Sequence, residues 1–193
     1  AETGPVVMIT KEALGEGSTR RAQGGIAAAV DEHDSVADHI ADTLAAGAGL
    51  CDLDAVTRIC EEGPGQVAAL LARGVDFDRR DGRLRLAREG AHSAARVVHA
   101  GGDATGAHIV QALGRALAGD PRIALAVGER ALEVIVHDGR VVGLRSEDAQ
   151  GLERIRAARA VVLAAGGMGQ LYNRTTNPLG ATAAGPALAA RAG

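Results

Sequence analysis

Aromatic side chains are almost absent: the 193 residues include Phe77 and Tyr172 and no tryptophan. Surfaces that stack nucleobases or sugar rings on aromatic faces are thereby excluded. A basic excess is missing too. Twenty-one Lys and Arg against 24 Asp and Glu leave a net charge of −3, so no electrostatic footprint for nucleic acid or an anionic membrane exists. Lys11 is the single lysine, the other basic residues being arginines. Cysteine is limited to Cys51 and Cys60, which make neither a disulfide framework nor a metal knot. Reduced thiols in a cytoplasmic protein are the default expectation. No window approaches 18 uncharged apolar residues, so no membrane span is expected. The N-terminus shows no charged flank followed by an apolar run of the signal-peptide kind. His92, His99 and His108 lack metal-ligand spacing, and no metal site is expected.

What is present is an ordinary globular balance, 47% hydrophobic and 23% charged, with a high count of 27 glycines. The core must come from Ala, Val, Leu and Ile with close backbone packing. Most glycines cluster at the ends of apolar runs, where backbone approaches something closely.

Val6-Val7-Met8-Ile9 reads as a buried strand, and Ala1–Gly4 before it as a helix end. That order suggests a chain starting inside a βαβ unit. Ser35 is placed to cap a helix with Val36, Ile40 and Leu44 on one face. Asp54 is placed to cap a second helix through Glu62, which Gly63-Pro64 interrupts. Val67, Leu70 and Leu71 then continue an apolar face to Gly74. Residues 79–106 read as polar loop. Ile109, Val110, Leu113, Ala116 and Leu117 make a helical stripe, and Leu125–Val127 a short strand. Asp138-Gly139 between two apolar runs signals a hairpin. Val161-Val162-Leu163-Ala164 reads as a second buried strand, leading into Ala165-Gly166-Gly167, and a helix starts at Pro186. Alternating strands and helices with a Gly cluster after core strands predict an α/β sheet of the dinucleotide-binding, Rossmann-like kind.

Three clusters carry chemistry. Glu16–Gly25 combines the Ser18 and Thr19 hydroxyls, the Gln23 amide and three glycines, suited to hydrogen-bonding a phosphate or planar heterocycle or equally to a mobile linker. Its place after a strand favours a cofactor. Gly101-Gly102-Asp103-Ala104-Thr105-Gly106 has glycines at both ends but follows no predicted strand, so the GxGxxG fingerprint is absent. Glu89 and His92, three apart in a Gly-containing loop, are suited to anchoring a substrate or acting as acid and base, although a solvated loop explains the spacing as well.

In one order along the chain, Glu16–Ala27, Asp42–Asp52, Arg88-Glu89-Gly90-Ala91-His92-Ser93, His99–Gly106, Val161–Gly167 and Thr175-Thr176-Asn177-Pro178 resemble the L-aspartate oxidase family. That family belongs to the wider succinate dehydrogenase and fumarate reductase flavoprotein group. The resemblance covers nearly the whole chain. It implies residues 1–193 of an incomplete FAD-binding α/β domain with the start of a capping region, lacking both the GxGxxG strand and the C-terminal capping and helical domains. It implies FAD as cofactor and oxidation of L-aspartate to iminoaspartate in de novo NAD synthesis. Oxygen or fumarate would accept the electrons, and quinolinate synthase would be a partner. Lys11, Ser18, Thr19, Arg20, Arg21, Ala22, Gln23, Gly24, Gly25 and Arg130 would contact FAD, with Lys11 near the adenosine ribose and Arg130 on the adenine side. Glu89 would face the substrate amino group. After Thr182 the family has Gly-Asp-Gly, whose Asp contacts FAD; here Ala183-Ala184-Gly185 stands instead. The alternatives are a fumarate reductase or succinate dehydrogenase flavoprotein and a non-catalytic remnant. Those reductases usually attach FAD to a histidine in or before the Ser18–Gln23 loop, and no histidine precedes Asp31.

Overall fold

The computed structural model describes residues 4–193. The described residues fold into two compact units, one made of residues 4–19 with 117–193 and the other of residues 20–116. In chain order the elements are β1 (Val6–Thr10), β2 (Ile26–Ala27), α1 (Val36–Ala46), α2 (Leu53–Ala72), β3 (Arg79–Arg80), β4 (Arg83–Leu84), β5 (Leu86–Ala87), β6 (Val97–Val98), α3 (Thr105–Ala118), β7 (Ile123–Val127), β8 (Arg130–His137), β9 (Arg140–Glu147), β10 (Glu153–Ala157) and α4 (Ala184–Ala192). The proposed helix end at residues 1–4 falls largely outside the described residues.

In the first unit β1 pairs with β7 in parallel, from Val6 opposite Ile123 to Thr10 opposite Val127. A parallel pair cannot be joined by a tight turn, and here the whole second unit lies between the two strands in sequence. β1 is only half buried, with Val6 and Val7 exposed, because it has a partner on one edge alone. β8, β9 and β10 form an antiparallel meander in the order 10-9-8. The β8–β9 turn follows the Asp138-Gly139 signal: both residues have positive φ, 49° and 69°, as the tight hairpin turn requires. Glu129, buried before β8, accepts from Arg156 at 2.8 and 3.0 Å and from Ser146 Oγ at 2.9 Å. The Arg156 hydrogen bond holds its carboxyl below the usual range. α4 packs against β8 and buries Leu188.

The second unit has one core: Ala28, Val67, Val75, Phe77, Val98, Ala100 and Ala112, with Ile26, Leu70, Leu84, Leu86 and Ile109 packed on it. The chain's only phenylalanine sits at its centre. The three-stranded sheet in the order β2-β6-β5 supplies Val98 and Ile26. α1 begins as the sequence predicts, at Ser35. Its Oγ accepts from Asp38 N at 3.0 Å and donates to the Asp38 carboxylate at 2.7 Å, so one hydroxyl serves a backbone donor and the first turn's acid together.

Three expectations are corrected. The second helix is capped by Asp52, which accepts from Ala55 N at 2.8 Å, and not by Asp54. It runs on through Gly63-Pro64 to Ala72, because Cys60 and Val67 bury one face on either side of the proline and this packing outweighs the lost backbone hydrogen bond. Residues 161–164 form no strand and are largely exposed, Val162 at 87%, since no strand among the described residues pairs with them.

Candidate functional site

The sequence-predicted residues divide between the units. Lys11, Ser18, Thr19 and Arg130 lie in the first; Arg20 to Gly25 and Glu89 lie in the second.

In the first unit, Lys11 Nζ donates to the Gly180 carbonyl and, at 3.2 Å, to Thr182 Oγ1. It ties β1's end to the segment leading into α4. The Ala183 amide donates to the Gly167 carbonyl at 3.2 Å, and a side chain on Gly185 would press the Ala165 methyl at 3.0 Å. The Gly166-Gly167 turn, Lys11 and the start of α4 therefore meet. Ala183 holds a left-handed φ of 63° at the head of α4 and offers no side-chain cap. Arg130 is exposed and pairs with Glu147 at 3.2 Å.

The Ser18–Gly24 loop is exposed, with a short 3-10 turn at Thr19–Arg21. The side chains of Ser18, Thr19 and Gln23 find no hydrogen-bond partner among the described residues, and open space surrounds the missing Cβ of Gly17 and of Gly24. Free hydroxyls and an amide on an open glycine backbone fit the phosphate and heterocycle edges of a dinucleotide. Gly25 differs: a Cβ there would lie 2.4 Å from the Val98 carbonyl and 3.0 Å from the His99 ring. Only glycine lets the loop lie against β6 at that point.

His99 Nε2 lies 3.4 Å from a Glu89 carboxylate oxygen. The structure thus joins Glu89 to His99, a pairing that the sequence does not single out. A cavity of about 220 Å³ adjoins this pair, lined by Asp78, Arg85, Ala87, His99 and Gly102. The Gly101–Gly106 segment does follow a strand, the two-residue β6, and leads into α3. Gly101 and Gly102 adopt φ of 61° and 72° and point their amides at one anion, as a phosphate-binding turn does. That anion is the Asp78 carboxylate, at 2.9 and 3.1 Å. The turn is filled from within.

Behind the Glu89 loop lies a polar network. Arg96 is completely buried, and each of its five N–H donors has an acceptor. Nε and Nη2 take the two Asp34 oxygens at 2.9 and 2.7 Å. Nη1 reaches Asp42 at 2.6 Å and His92 Nδ1 at 3.3 Å, and Nη2 also meets Ser93 Oγ at 3.4 Å. Asp42 accepts the Ser93 amide and hydroxyl as well, both at 2.7 Å. These Ser93 bonds come first, and Arg96 second, in lowering the Asp42 carboxyl to about 2. The Arg96 hydrogen bonds hold Asp34 below its ordinary value, and the Asp34 bond chiefly raises Arg96. His39, on α1, packs its ring 5.7 Å from that of His92, with its own Nδ1 buried and unpartnered. Burial, then the neighbouring Arg96 charge, lowers its pKa. The one sequence signal for this network is a charged residue, Arg96, set directly against the apolar Val97-Val98.

The L-aspartate oxidase of Streptomyces coelicolor is 47% identical over 97% of the chain and 33% of its own length. That of Bacillus subtilis is 43% identical over 97% of the chain and 35% of its length. The chain thus spans about a third of the length of the curated relatives it matches. Among solved structures, a quinol–fumarate reductase with menaquinol molecules superposes with a TM-score of 0.91 at 32% identity, over 98% of this chain and 33% of that one. The Mycobacterium smegmatis Sdh1 complex in its apo form gives 0.89 at 32% identity, over 98% and 34%. The fold is the mixed α/β fold of this flavoprotein group. The family described as FAD binding domain matches residues 1–193, and the chain belongs to it.

Proposed function

We propose that this chain is the FAD-binding part of an L-aspartate oxidase, which converts L-aspartate to iminoaspartate as a step toward NAD. The observation that carries this reading is the placement of Glu89 beside His99, against which Gly25 of the loop packs. The names of the relatives support the substrate. FAD, when bound, would supply the acceptor for the Cα hydride, with oxygen or fumarate as the final electron acceptor. The residues of the chain do the rest. Ser18–Gly25 offers hydroxyls, an amide and close backbone to the cofactor, with Lys11 and Arg130 on the adenosine side. Glu89 accepts hydrogen bonds from the substrate ammonium and fixes which face of Cα is presented. Residues 1–193 form a partial FAD-binding domain. The thiols of Cys51 and Cys60, both free, fit a cytoplasmic setting, and quinolinate synthase is the partner that would take the unstable imine. No helix among the described residues is long and apolar enough to cross a membrane.

The test is turnover by the full-length, FAD-loaded protein. L-Aspartate should yield hydrogen peroxide in air and succinate from fumarate without air. The 193-residue chain alone should retain flavin after desalting but turn over nothing. A full-length protein that reduces fumarate yet ignores aspartate would overturn the reading in favour of a fumarate reductase. A colourless protein would favour a non-catalytic remnant.

A further inference from the structure

The Arg96 network fixes more than a loop. A guanidinium has donors only, so the 3.3 Å contact between Arg96 Nη1 and His92 Nδ1 requires that Nδ1 accept. The other four N–H groups of Arg96 are committed to Asp34, Asp42 and Ser93, all inside a shell with no access to water at Arg96. A proton on His92 Nδ1 would face the fifth donor and orphan it, which buried polar groups rarely tolerate. The ring proton is therefore on Nε2. That atom has no partner among the described residues, and the His92 side chain is only partly buried. The ring is held from its other sides. Arg88 Nε grips the His92 carbonyl at 2.8 Å, and His39 packs against the imidazole.

The loop closes as a turn, the His92 amide donating to the Glu89 carbonyl at 3.3 Å. Between them Ala91 sits at φ 69°, a left-handed conformation that is strained for a residue with a Cβ. Strain of this kind persists where surrounding contacts enforce it, and such places concentrate at ligand sites. One turn therefore carries a carboxylate and, three residues on, an N–H donor of fixed tautomer. An amino-acid zwitterion carries the complementary pair, an ammonium beside a carboxylate.

We propose that His92 Nε2–H is a hydrogen-bond donor to a carboxylate of the amino-acid substrate, with Arg96, Asp34 and Asp42 as positioning residues that hold its tautomer. The proposal rests on the aspartate-oxidising reading for its substrate, but the tautomer follows from geometry alone. A donor of fixed tautomer can hydrogen-bond the substrate carboxylate while the Glu89 carboxylate meets His99.

Two measurements test it. In the 15N-histidine-labelled chain at pH about 8, where ordinary imidazoles are neutral, long-range 15N–1H correlation should show a single tautomer for His92, with a bare Nδ1 and a protonated Nε2. Free imidazole serves as the reference for tautomer averaging. A protonated Nδ1, or averaging like that of free imidazole, overturns the proposal. In the FAD-loaded full-length protein, His92→Phe keeps the ring but deletes the donor. KM for aspartate should rise roughly 10–100-fold, the worth of one hydrogen bond to a charged group, with kcat changed far less. His92→Gln, which restores an N–H near the Nε2 position, should recover most of the loss. Equal KM in wild type and His92→Phe, or no recovery by His92→Gln, overturns the proposal. Succinate, a dicarboxylate with no amine, separates the two failures through its perturbation of the flavin spectrum. Succinate binding that weakens in His92→Phe supports the donor role even if aspartate is not oxidised, in which case only the aspartate reading falls.

Discussion

Removing the Asp34 carboxylate reads the Arg96 network most directly. Arg96 and Asp34 have 0% and 2% of their side chains exposed, and the pair is bidentate. Asp34→Ala takes two of the five acceptors and leaves a buried guanidinium with Asp42 as its one anion. Breaking a buried pair from one side costs about 3–5 kcal/mol, because the remaining charge stays desolvated. The surviving Asp42 contact places the expected loss near the lower end, about 3 kcal/mol. For a unit of roughly 100 residues each kcal/mol moves the midpoint by about 4–8 °C, so a fall of roughly 12–25 °C is expected. Urea titration and thermal melts followed by circular dichroism measure both. Acid supplies an independent arm. The folded pKa of Asp34 lies below its ordinary 3.8, and that of Asp42 is about 2. Their contributions are therefore complete above the unfolded pKa and are lost as pH falls from about 4 through the folded values. Asp34→Ala should flatten that acid limb. A loss under about 1 kcal/mol, or an acid limb of unchanged slope, would refute the assignment of Arg96 as a buried, paired charge.

Three smaller perturbations follow from the same structure. His39 has a folded pKa below 6.5, so the unfolded chain binds protons first and stability should fall as pH drops below about 6.5; His39→Leu should reduce that fall, measured by urea midpoints at pH steps. Gly139→Val forces a β-branched residue to φ 69° and should cost about 1–2 kcal/mol in a thermal melt. Ala91→Gly relieves the left-handed strain in the Glu89 turn. After the entropy that glycine adds to the unfolded chain, it should still stabilise by about 0.5 kcal/mol in the same melt.

Local devices were legible in the sequence because their partners are near in the chain. Ser35 meets Asp38 three residues on, and Asp138-Gly139 needs only its own backbone to turn. The network behind the Glu89 loop was not legible. Arg96 meets Asp34 and Asp42 across 62 and 54 residues, and nothing periodic connects them. His99 reaches Glu89 because β6 carries it there, whereas spacing alone pairs Glu89 with His92. The glycine-rich turn at Gly101-Gly102 is a further case. Its backbone takes the form of a phosphate-binding turn, which the sequence did not signal, but Asp78, distant in sequence, has taken the site.

Val161-Val162-Leu163 and Val6-Val7-Met8-Ile9 make the sharpest contrast, since both are short apolar runs that end at polar or glycine residues. The second becomes β1 because β7 offers five residues in parallel register. The first finds no ladder partner among the described residues, and Val162 remains 87% exposed. Strand propensity measures how well a side chain suits a pleated, half-buried surface, not whether a neighbouring strand exists to complete it. An extended apolar segment without hydrogen-bonding neighbours gains neither the ladder nor the burial. The turn at Gly166-Gly167 that follows it is held instead from the α4 side, by the Ala183 amide on the Gly167 carbonyl and by Gly185 against Ala165. The position of that glycine turn is thus set by the head of a helix some 16 residues later in the chain, a relation that no local pattern around Val161 encodes.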